Sequence, residues 1–411
     1  MIKRNCLTME SILEKPSQRL IPEPTKHLDS ILVRGLAWTG GVKWIAQLVT
    51  WCSTLIIARL LNPADYGLVG MAAVYLGFIN LLCEFGVGTT VVTLREMSDD
   101  HVAQLNGFSV LLGLSGFALS CVAAVPLGLF FKTPRLPWVV VAMSTTFVIS
   151  SFQSVPAALL QRELRFKLLS LIDGAKSFIL ACTMLVLAIA GLRYWTLVIG
   201  SILSTLIAAI LVVSKRPHRM AWPRPSVLGP ILHFSRHIIV NRIAWYAYSN
   251  SDFVVAGRIL GQQALGAYTV AWNVANVPVE KITSVLNSVT PSLFSAVQKD
   301  KAALRRYVLN LTEGLAFVTL PASIGLGLVA REFVLVILGE KWQPAITPLR
   351  FLAFYVTIRS ITPLIPAVLN VVGESRFNMR NSLVAALVLP CAFVFGSHWG
   401  TAGIAAAWII A

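Results

Sequence analysis

One apolar stretch near the middle of the chain carries polar and aromatic side chains at helical spacing. Their positions follow i, i+3, i+7 and i+10, one face of a helix with 3.6 residues per turn: Arg242, Trp245, Ser249 and Asp252. A charge inside an apolar segment is costly unless it faces a partner or a cavity. Since a planar guanidinium matches phosphate oxygens, the spacing predicts a stripe that lines a cavity for an anionic group.

A second polar stripe lies in the first apolar segment. Its members share one helical face at i, i+4, i+7 and i+11: Lys43, Gln47, Thr50 and Thr54. When the two segments are aligned with an offset of 199 residues, Lys43 falls on Arg242 and Thr50 on Ser249. We expect the two cations to face each other and bind an anionic head group. The alternative stays open that each long side chain only reaches to the membrane surface.

Further charges lie inside apolar segments. Asp252 has no basic residue three or four positions away, so it is a candidate proton or sodium site, with a structural ion pair as the alternative. Arg359, central in a proline-containing segment, is a third candidate cation for the cavity. Asp173 and Lys176, at i and i+3, are expected to form a local ion pair. Glu84 is interpreted as structural.

The cysteines and motifs give no indication of catalysis. The six cysteines show no CxxC or Cys/His spacing, so neither a metal site, a disulfide nor a cofactor is expected. The chain has no GxxxxGK[ST] phosphate loop and no DxD motif. We therefore expect no catalytic residue, and the chain is interpreted as a protein that is not an enzyme.

Composition indicates which elements must position these residues. Of 411 residues, 56% are hydrophobic and only 13% charged, against about 25% charged in soluble domains. Apolar segments of about 20 residues, long enough to cross a bilayer as helices, recur throughout. We expect an all-α polytopic membrane protein whose last span is truncated, with spans at 37–57, 66–87, 105–131, 137–158, 169–190, 194–213, 235–256, 265–290, 308–330, 345–371, 379–396 and 400–411.

The positive charges predict the orientation. Most of the 34 Lys and Arg residues fall on the N-terminal segment and on every second loop after it. Because such residues concentrate on the cytoplasmic side, the N-terminus is predicted to be cytoplasmic. The formal net charge of +16 is thereby explained by topology, and no nucleic-acid partner is expected.

The chain also repeats itself. "ARLLNPADYGL" at 58–68 is echoed by "GRILGQQALGA" at 257–267, and "VPAALLQRELRF" at 155–166 by "IPAVLNVVGESRF" at 365–377. We predict two six-helix lobes related by a parallel repeat, with Arg59 and Arg258 anchored at the membrane surface and Gly67 and Gly266 permitting close helix packing. The predicted divisions are a cytoplasmic N-terminal segment (1–36), an N-lobe (37–213), a cytoplasmic linker (214–234) and an incomplete C-lobe (235–411).

These segments resemble a known family. "IIARLLNPADYGLVGMAAVYLGFINLLCEFGVGTTVV", "LQRELRFKLLSLID" and "SDFVVAGRILGQQALGAYTVAWNVANVP" are similar to segments of Wzx-type polysaccharide flippases. These flippases belong to the multidrug/oligosaccharidyl-lipid/polysaccharide exporter superfamily. The resemblance implies two lobes around a cationic cavity in the bacterial inner membrane. It also implies alternating access, with undecaprenyl-pyrophosphate-linked oligosaccharide as the substrate for exopolysaccharide, capsule or O-antigen.

The resemblance supplies no motif for the site, so the expected site residues come from the two helical faces. Phosphates would be bound by Lys43, Arg242 and Arg359, and sugars or other polar groups by Gln47, Thr50, Trp245 and Ser249. Besides membrane lipids, a polysaccharide polymerase and chain-length machinery are the expected partners. A cation-coupled drug exporter of the same fold is the alternative. A membrane polymerase or ligase is disfavoured because the outer loops are short, and a scaffold role in polysaccharide assembly stays open.

Overall fold

The structure of the protein is a computed structural model that describes residues 50–84, 87–93, 98–224, 242–277, 294, 300–360, 368–369 and 375–410. Every regular element in these ranges is helical, and seven helical stretches among them are long and apolar enough to cross a membrane. The predicted all-α, multi-pass membrane fold is confirmed.

The α-helices of the described ranges vary in length from 4 to 32 residues. In chain order they are α1 (Thr50–Leu60), α2 (Pro63–Glu84), α3 (Val87–Thr93), α4 (Asp99–Phe130), α5 (Leu136–Arg162), α6 (Phe166–Ile189), α7 (Trp195–Lys215), α8 (242–249), α9 (Ser251–Val255), α10 (262–277), α11 (Lys301–Leu328), α12 (Ala330–Phe333), α13 (Ile346–Arg359), α14 (Ser375–Gly396) and α15 (Gly400–Ile410).

Two helices begin earlier than hydropathy predicts because polar caps start them. Ser98 accepts a hydrogen bond from the His101 backbone N–H and begins α4 at Asp99, six residues before the predicted span. Asp300 accepts from the N–H groups of Ala302 and Ala303, and thereby begins α11. A window that scores only apolar residues passes over these polar first turns.

Two helices of the second half end in π-helical turns closed by glycine. Ala256–Leu260 follows α9 and ends at Gly261, whose φ is +87°. Val334–Leu338 follows α12 and ends at Gly339, whose φ is +97°. Because such φ values favour glycine, these residues set the points at which the chain leaves each helix.

One hydrophobic core joins the two halves of the chain. Leu68 and Met71 of α2 pack in the same cluster as Leu265 and Tyr268 of α10. Trp342, fully buried in the 3-10 turn Glu340–Ala345, belongs to the same cluster. The halves therefore share a packed interface, while their relation as two repeated lobes stays a prediction.

The repeated arginines, Arg59 and Arg258, lie at this interface. They are at the end of the molecule where α1 and α4 end and where α2, α5 and α10 begin. This end is here called the Pro63 end. Arg59 donates from Nη1 to the Val336 carbonyl in the second half, at 3.2 Å. The Arg258 guanidinium lies 5.2 Å from the ring centroid of Phe130 in the first half. Each arginine thus contacts the opposite half of the protein, a role that the expected membrane-surface anchoring did not include.

Candidate functional site

The first part of the predicted stripe lies on α8 and is accessible. Arg242 is exposed, and Trp245 keeps 51% of its surface exposed. Ser249 donates its hydroxyl to the Trp245 backbone carbonyl, and its oxygen accepts a long hydrogen bond of 3.5 Å from the Asn250 amide, which leaves one lone pair for a ligand. These three residues offer a cation, an aromatic ring and a hydroxyl oxygen to a ligand.

The other stripe is described only in part. Lys43 and Gln47 lie outside the described residues. Thr50 is half-buried at the start of α1, and its carbonyl accepts a hydrogen bond of 2.7 Å from the Thr54 hydroxyl. The proposed pairing of Lys43 with Arg242 therefore stays a prediction.

Asp252 lies apart from the exposed residues of its stripe. It is fully buried, and its Oδ2 accepts hydrogen bonds from the Tyr268 hydroxyl at 2.7 Å and from Trp408 Nε1 at 3.0 Å. No described Lys or Arg nitrogen lies within ion-pair distance of it. The alternative of a structural ion pair thus finds no partner among the described residues, and three neutral donors take its place, the third being the Phe253 backbone N–H, which donates to Oδ1 at 2.9 Å.

A break in the helix accompanies this separation. α8 ends at Ser249, Asn250 forms a turn, and α9 begins at Ser251. The Asn250 side-chain amide donates to the Tyr246 carbonyl. Such a bond from an Asn side chain to nearby backbone competes with regular helical hydrogen bonding and therefore favours a turn at this position. The prediction of a single face from Arg242 to Asp252 requires an unbroken helix. Because the helix is interrupted at Asn250, the predicted face is divided into an exposed part and a buried part.

An aromatic cluster surrounds Asp252 and extends towards Arg359. Its ring centroids lie 4.9 to 6.4 Å apart, and its members are Phe253, Tyr268, Trp272, Tyr355, Phe393 and Trp408. Arg359 donates from Nη1 to Asn276 Oδ1 at 3.0 Å, with its guanidinium 5.6 Å from the centre of the Trp272 ring. The buried carboxylate and the half-buried cation are thus neighbours of one cluster without forming an ion pair.

A polar chamber of about 450 Å³ lies inside the first half, among α2, α4, α5, α6 and α7. Its walls carry amide, hydroxyl and charged groups, including Asn80, Glu84, Gln153, Ser154, Asp173 and Lys176. The Asn80 amide donates to Glu84 at 2.9 Å. The expected ion pair between Asp173 and Lys176 is wrong: no such pair forms within 4.0 Å, and both side chains line the chamber.

Sequence reasoning missed most of these partners. Tyr268 and Trp408 lie within the predicted apolar spans 265–290 and 400–411, although a buried hydroxyl or indole N–H usually needs an acceptor. The chamber had a weak signal on α5, where Ser150, Gln153 and Ser154 recur at i, i+3 and i+4. Periodicity indicates such a face, but it does not say which other helices complete it.

This helical architecture, with a packed interface between the halves and polar groups in each half, is also found in solved structures of membrane transporters. The inward closed conformation of the lipid II flippase MurJ has a TM-score of 0.74 at 12% identity, covering 91% of this chain and 84% of that one. An inward-facing multidrug resistance MATE family transporter of the MOP superfamily gives 0.70 at 16% identity, covering 88% and 90%. At these identities the likeness concerns the fold alone.

The family follows from the sequence comparison. Residues 56–347 match the family model described as polysaccharide biosynthesis protein, and the chain belongs to that family. The chain is 26% identical over 370 residues to the lipopolysaccharide biosynthesis protein WzxC of Escherichia coli (strain K12), covering 86% of this chain and 73% of that protein. The resemblance to Wzx-type flippases is confirmed.

Proposed function

We propose that the protein is a flippase for lipid-linked oligosaccharides. It carries undecaprenyl-pyrophosphate-linked repeat units across the bacterial inner membrane for the synthesis of a surface polysaccharide. The family membership carries this proposal, because it combines a polysaccharide pathway with a transporter fold. The N-terminus is cytoplasmic in this proposal, so the Pro63 end faces outward.

The arrangement of the two ends supports alternating access. At the Pro63 end, Trp342 Nε1 donates to the Ala58 carbonyl at 2.7 Å, and Gln262 donates to the Ala64 carbonyl at 2.6 Å. Both bonds join the two halves. Arg242 and Trp245, several helical turns away, are exposed. This arrangement suits a state that is closed outward and receives its substrate from the cytoplasm.

The candidate residues have three proposed roles: phosphate binding, sugar binding and, for Asp252, coupling-ion binding. Lys43, Arg242 and Arg359 bind the pyrophosphate, since cations with several N–H donors neutralise and orient phosphate oxygens. Gln47, Thr50, Trp245 and Ser249 contact the sugars, with the Trp245 ring against an apolar sugar face. The polar chamber of the first half offers further amide and carboxylate groups, which pair well with sugar hydroxyls.

Asp252 is the proposed coupling-ion site. A carboxylate that is fully buried and held by Tyr268 and Trp408 can exchange charge only when a proton or another cation reaches it. Its aromatic cluster also contacts Arg359, one of the proposed phosphate ligands, through the Trp272 ring. Ion binding and substrate binding would thereby act on the same packed group of side chains.

Complementation tests the flippase proposal. The chain is expressed in a bacterium whose own flippase gene is deleted, and surface polysaccharide is measured at matched membrane abundance. Wild type should restore the polymer, while Arg242→Ala and Lys43→Ala each reduce it about tenfold, the effect of ~1.4 kcal/mol of lost substrate binding. Lipid-linked repeat units should accumulate in the mutants.

The control is Arg305→Ala, which removes an exposed arginine from the first turns of α11 and should behave as wild type. Wild type that restores no polymer but lowers sensitivity to cationic drugs would overturn the proposal in favour of a drug exporter. Equal activity of wild type and both alanine variants would overturn the phosphate-binding roles alone. Co-purification with the polysaccharide polymerase tests the expected partnership.

A further inference from the structure

An apolar groove of about 540 Å³ runs along the first half between α5 and α7. Its walls are mainly aliphatic and aromatic, among them Val148, Phe152, Leu206, Ile210, Val213 and Met220. Ile210 is 57% exposed and Met220 50% exposed. Because these residues belong to a membrane-crossing bundle, the groove opens to lipid and suits a hydrocarbon chain.

One end of the groove is polar, at the end of α7 where the chain enters the linker. Asn106 of α4 lines it with 1% of its surface exposed, and Asn106 Nδ2 donates to the Arg219 carbonyl at 3.3 Å. Neither Asn106 Oδ1 nor His218 Nε2, both buried, has a hydrogen-bond partner among the described residues. A buried acceptor without a donor is costly, so this end calls for a ligand that donates a hydrogen bond.

The linker is fixed over this polar end by contacts with α4. The Ala221 backbone N–H donates to the Ala103 carbonyl at 3.0 Å, and the Arg224 N–H donates to Gln104 Oε1 at 3.1 Å. These bonds hold a basic stretch beside the groove, with Lys215 and Arg219 exposed. The site therefore combines an apolar channel, an orphan acceptor and excess positive charge.

We propose that this groove binds one molecule of phosphatidylglycerol from the adjacent leaflet. An acyl chain fills the groove, the phosphate lies near Lys215 and Arg219, and a glycerol hydroxyl donates to Asn106 Oδ1. Phosphatidylethanolamine also carries donors, but its head group has no net charge, and basic pockets at the membrane surface select anionic lipids. The site is separate from the cavity of the proposed flippase and does not depend on that function.

Native mass spectrometry tests the site. Purified full-length chain is equilibrated in detergent with equal amounts of phosphatidylglycerol and phosphatidylethanolamine, and bound lipid is counted for each variant. Wild type should bind one molecule of phosphatidylglycerol with an occupancy about fivefold higher than that of phosphatidylethanolamine. Ile210→Trp, which fills the groove, and Asn106→Leu, which removes the acceptor, should each lower that occupancy about fivefold.

The control is Val186→Trp, an equally bulky change at a 64% exposed position of α6 that does not line the groove, and it should bind as wild type. Thermal melting of all variants identifies any that fail to fold, and Asn106→Asp then serves as a second test, since its added negative charge should also reduce phosphatidylglycerol binding. Equal binding of the two lipids, or unchanged binding by Ile210→Trp, would overturn the proposal. Displacement of phosphatidylglycerol by equimolar undecaprenyl phosphate would overturn it too, and would assign the groove to a polyprenyl chain.

Discussion

Gly67 of α2 and Gly266 of α10 lie against each other backbone to backbone at the Pro63 end. A Cβ added at Gly67 would collide with the Gln262 carbonyl, and one added at Gly266 would collide with the Pro63 carbonyl. The two contacts mirror each other with the 199-residue offset of the sequence repeat, since 63 corresponds to 262 and 67 to 266. Only glycine lets two helices approach this closely.

Gly67→Ala should therefore wedge the Pro63 end apart. The added methyl group meets main-chain atoms, which cannot rotate away as a flexible side chain would. We expect α2 and α10 to separate and a cysteine introduced at the fully buried Ala267 of α10 to react faster with a water-soluble thiol reagent. The reference is Gly314→Ala in α11, where a new Cβ meets nothing within 4 Å and should leave the labelling rate unchanged. Unaltered labelling in Gly67→Ala would show that this contact does not control opening.

Trp342→Phe should destabilise the protein by about 1–3 kcal/mol. Trp342 is fully buried, and its indole N–H satisfies the Ala58 carbonyl of the opposite half at 2.7 Å, while its ring packs edge-on against Tyr66. Phenylalanine keeps much of the apolar surface but leaves that carbonyl without its donor. Thermal unfolding in detergent measures the change, and Trp138→Phe, at a 72% exposed position, should shift the melting temperature little.

Asp252→Asn should preserve the fold and remove transport. The side-chain amide has the same size, and its oxygen can still accept from Tyr268 and Trp408, while the buried charge and the acceptor of the Phe253 N–H are gone; thermal melting checks that the variant stays folded. If Asp252 exchanges an ion during the cycle, the neutral variant cannot do so, and the polymer restored in the complementation assay should fall to background. Full activity of Asp252→Asn would remove the residue from the coupling mechanism and leave it a structural role.

Tyr268→Phe tests the structural role of Asp252 by removing one of its hydrogen-bond donors. It removes the hydroxyl that donates to Asp252 at 2.7 Å and leaves the carboxylate with fewer donors in a buried place. We expect a lower melting temperature because an undersatisfied buried carboxylate is costly. Asp252→Asn combined with Tyr268→Phe should recover part of the loss, since a neutral amide needs the hydroxyl less. A double variant no more stable than Tyr268→Phe alone would contradict this explanation.

The approximate positions of the long membrane-crossing helices among the described residues could be predicted from the sequence, and the short α3, the break at Asn250 and the lateral contacts could not. Hydropathy and charge place the spans because lipid requires every backbone group to bond within its own helix. The partners of Asp252 are 16 and 156 residues away, so no periodicity within one helix reveals them. Asp173 and Lys176 show that spacing within one helix can also mislead. Their i, i+3 spacing predicts an ion pair, but both side chains line the polar chamber and do not pair with each other.

Gly107→Ala should release the linker from α4. The new methyl group would collide with the Ala221 carbonyl, and Ala221 itself donates its N–H to the Ala103 carbonyl at 3.0 Å, one helical turn earlier. Both groups are main chain, so the linker has to move as a unit and the Arg224 bond to Gln104 is strained with it. We expect trypsin to cut purified protein several-fold faster after Arg219, because the bonds that follow Arg216 and Arg224 lead into prolines and resist trypsin.

The matched reference is Gly325→Ala in α11, which also lies within a helix but would place its Cβ in open space. Alanine there should raise helix stability by up to about 1 kcal/mol and leave cleavage of the linker unchanged. The Arg216 to Glu163 ion pair, at 2.7 Å, holds the linker's first residues independently of Gly107. Cleavage after Lys215, the neighbouring trypsin site, should therefore stay slow in Gly107→Ala. Faster cleavage there as well would show that the ion pair does not hold this stretch, and cleavage unchanged after both Lys215 and Arg219 would show that α4 does not hold the linker.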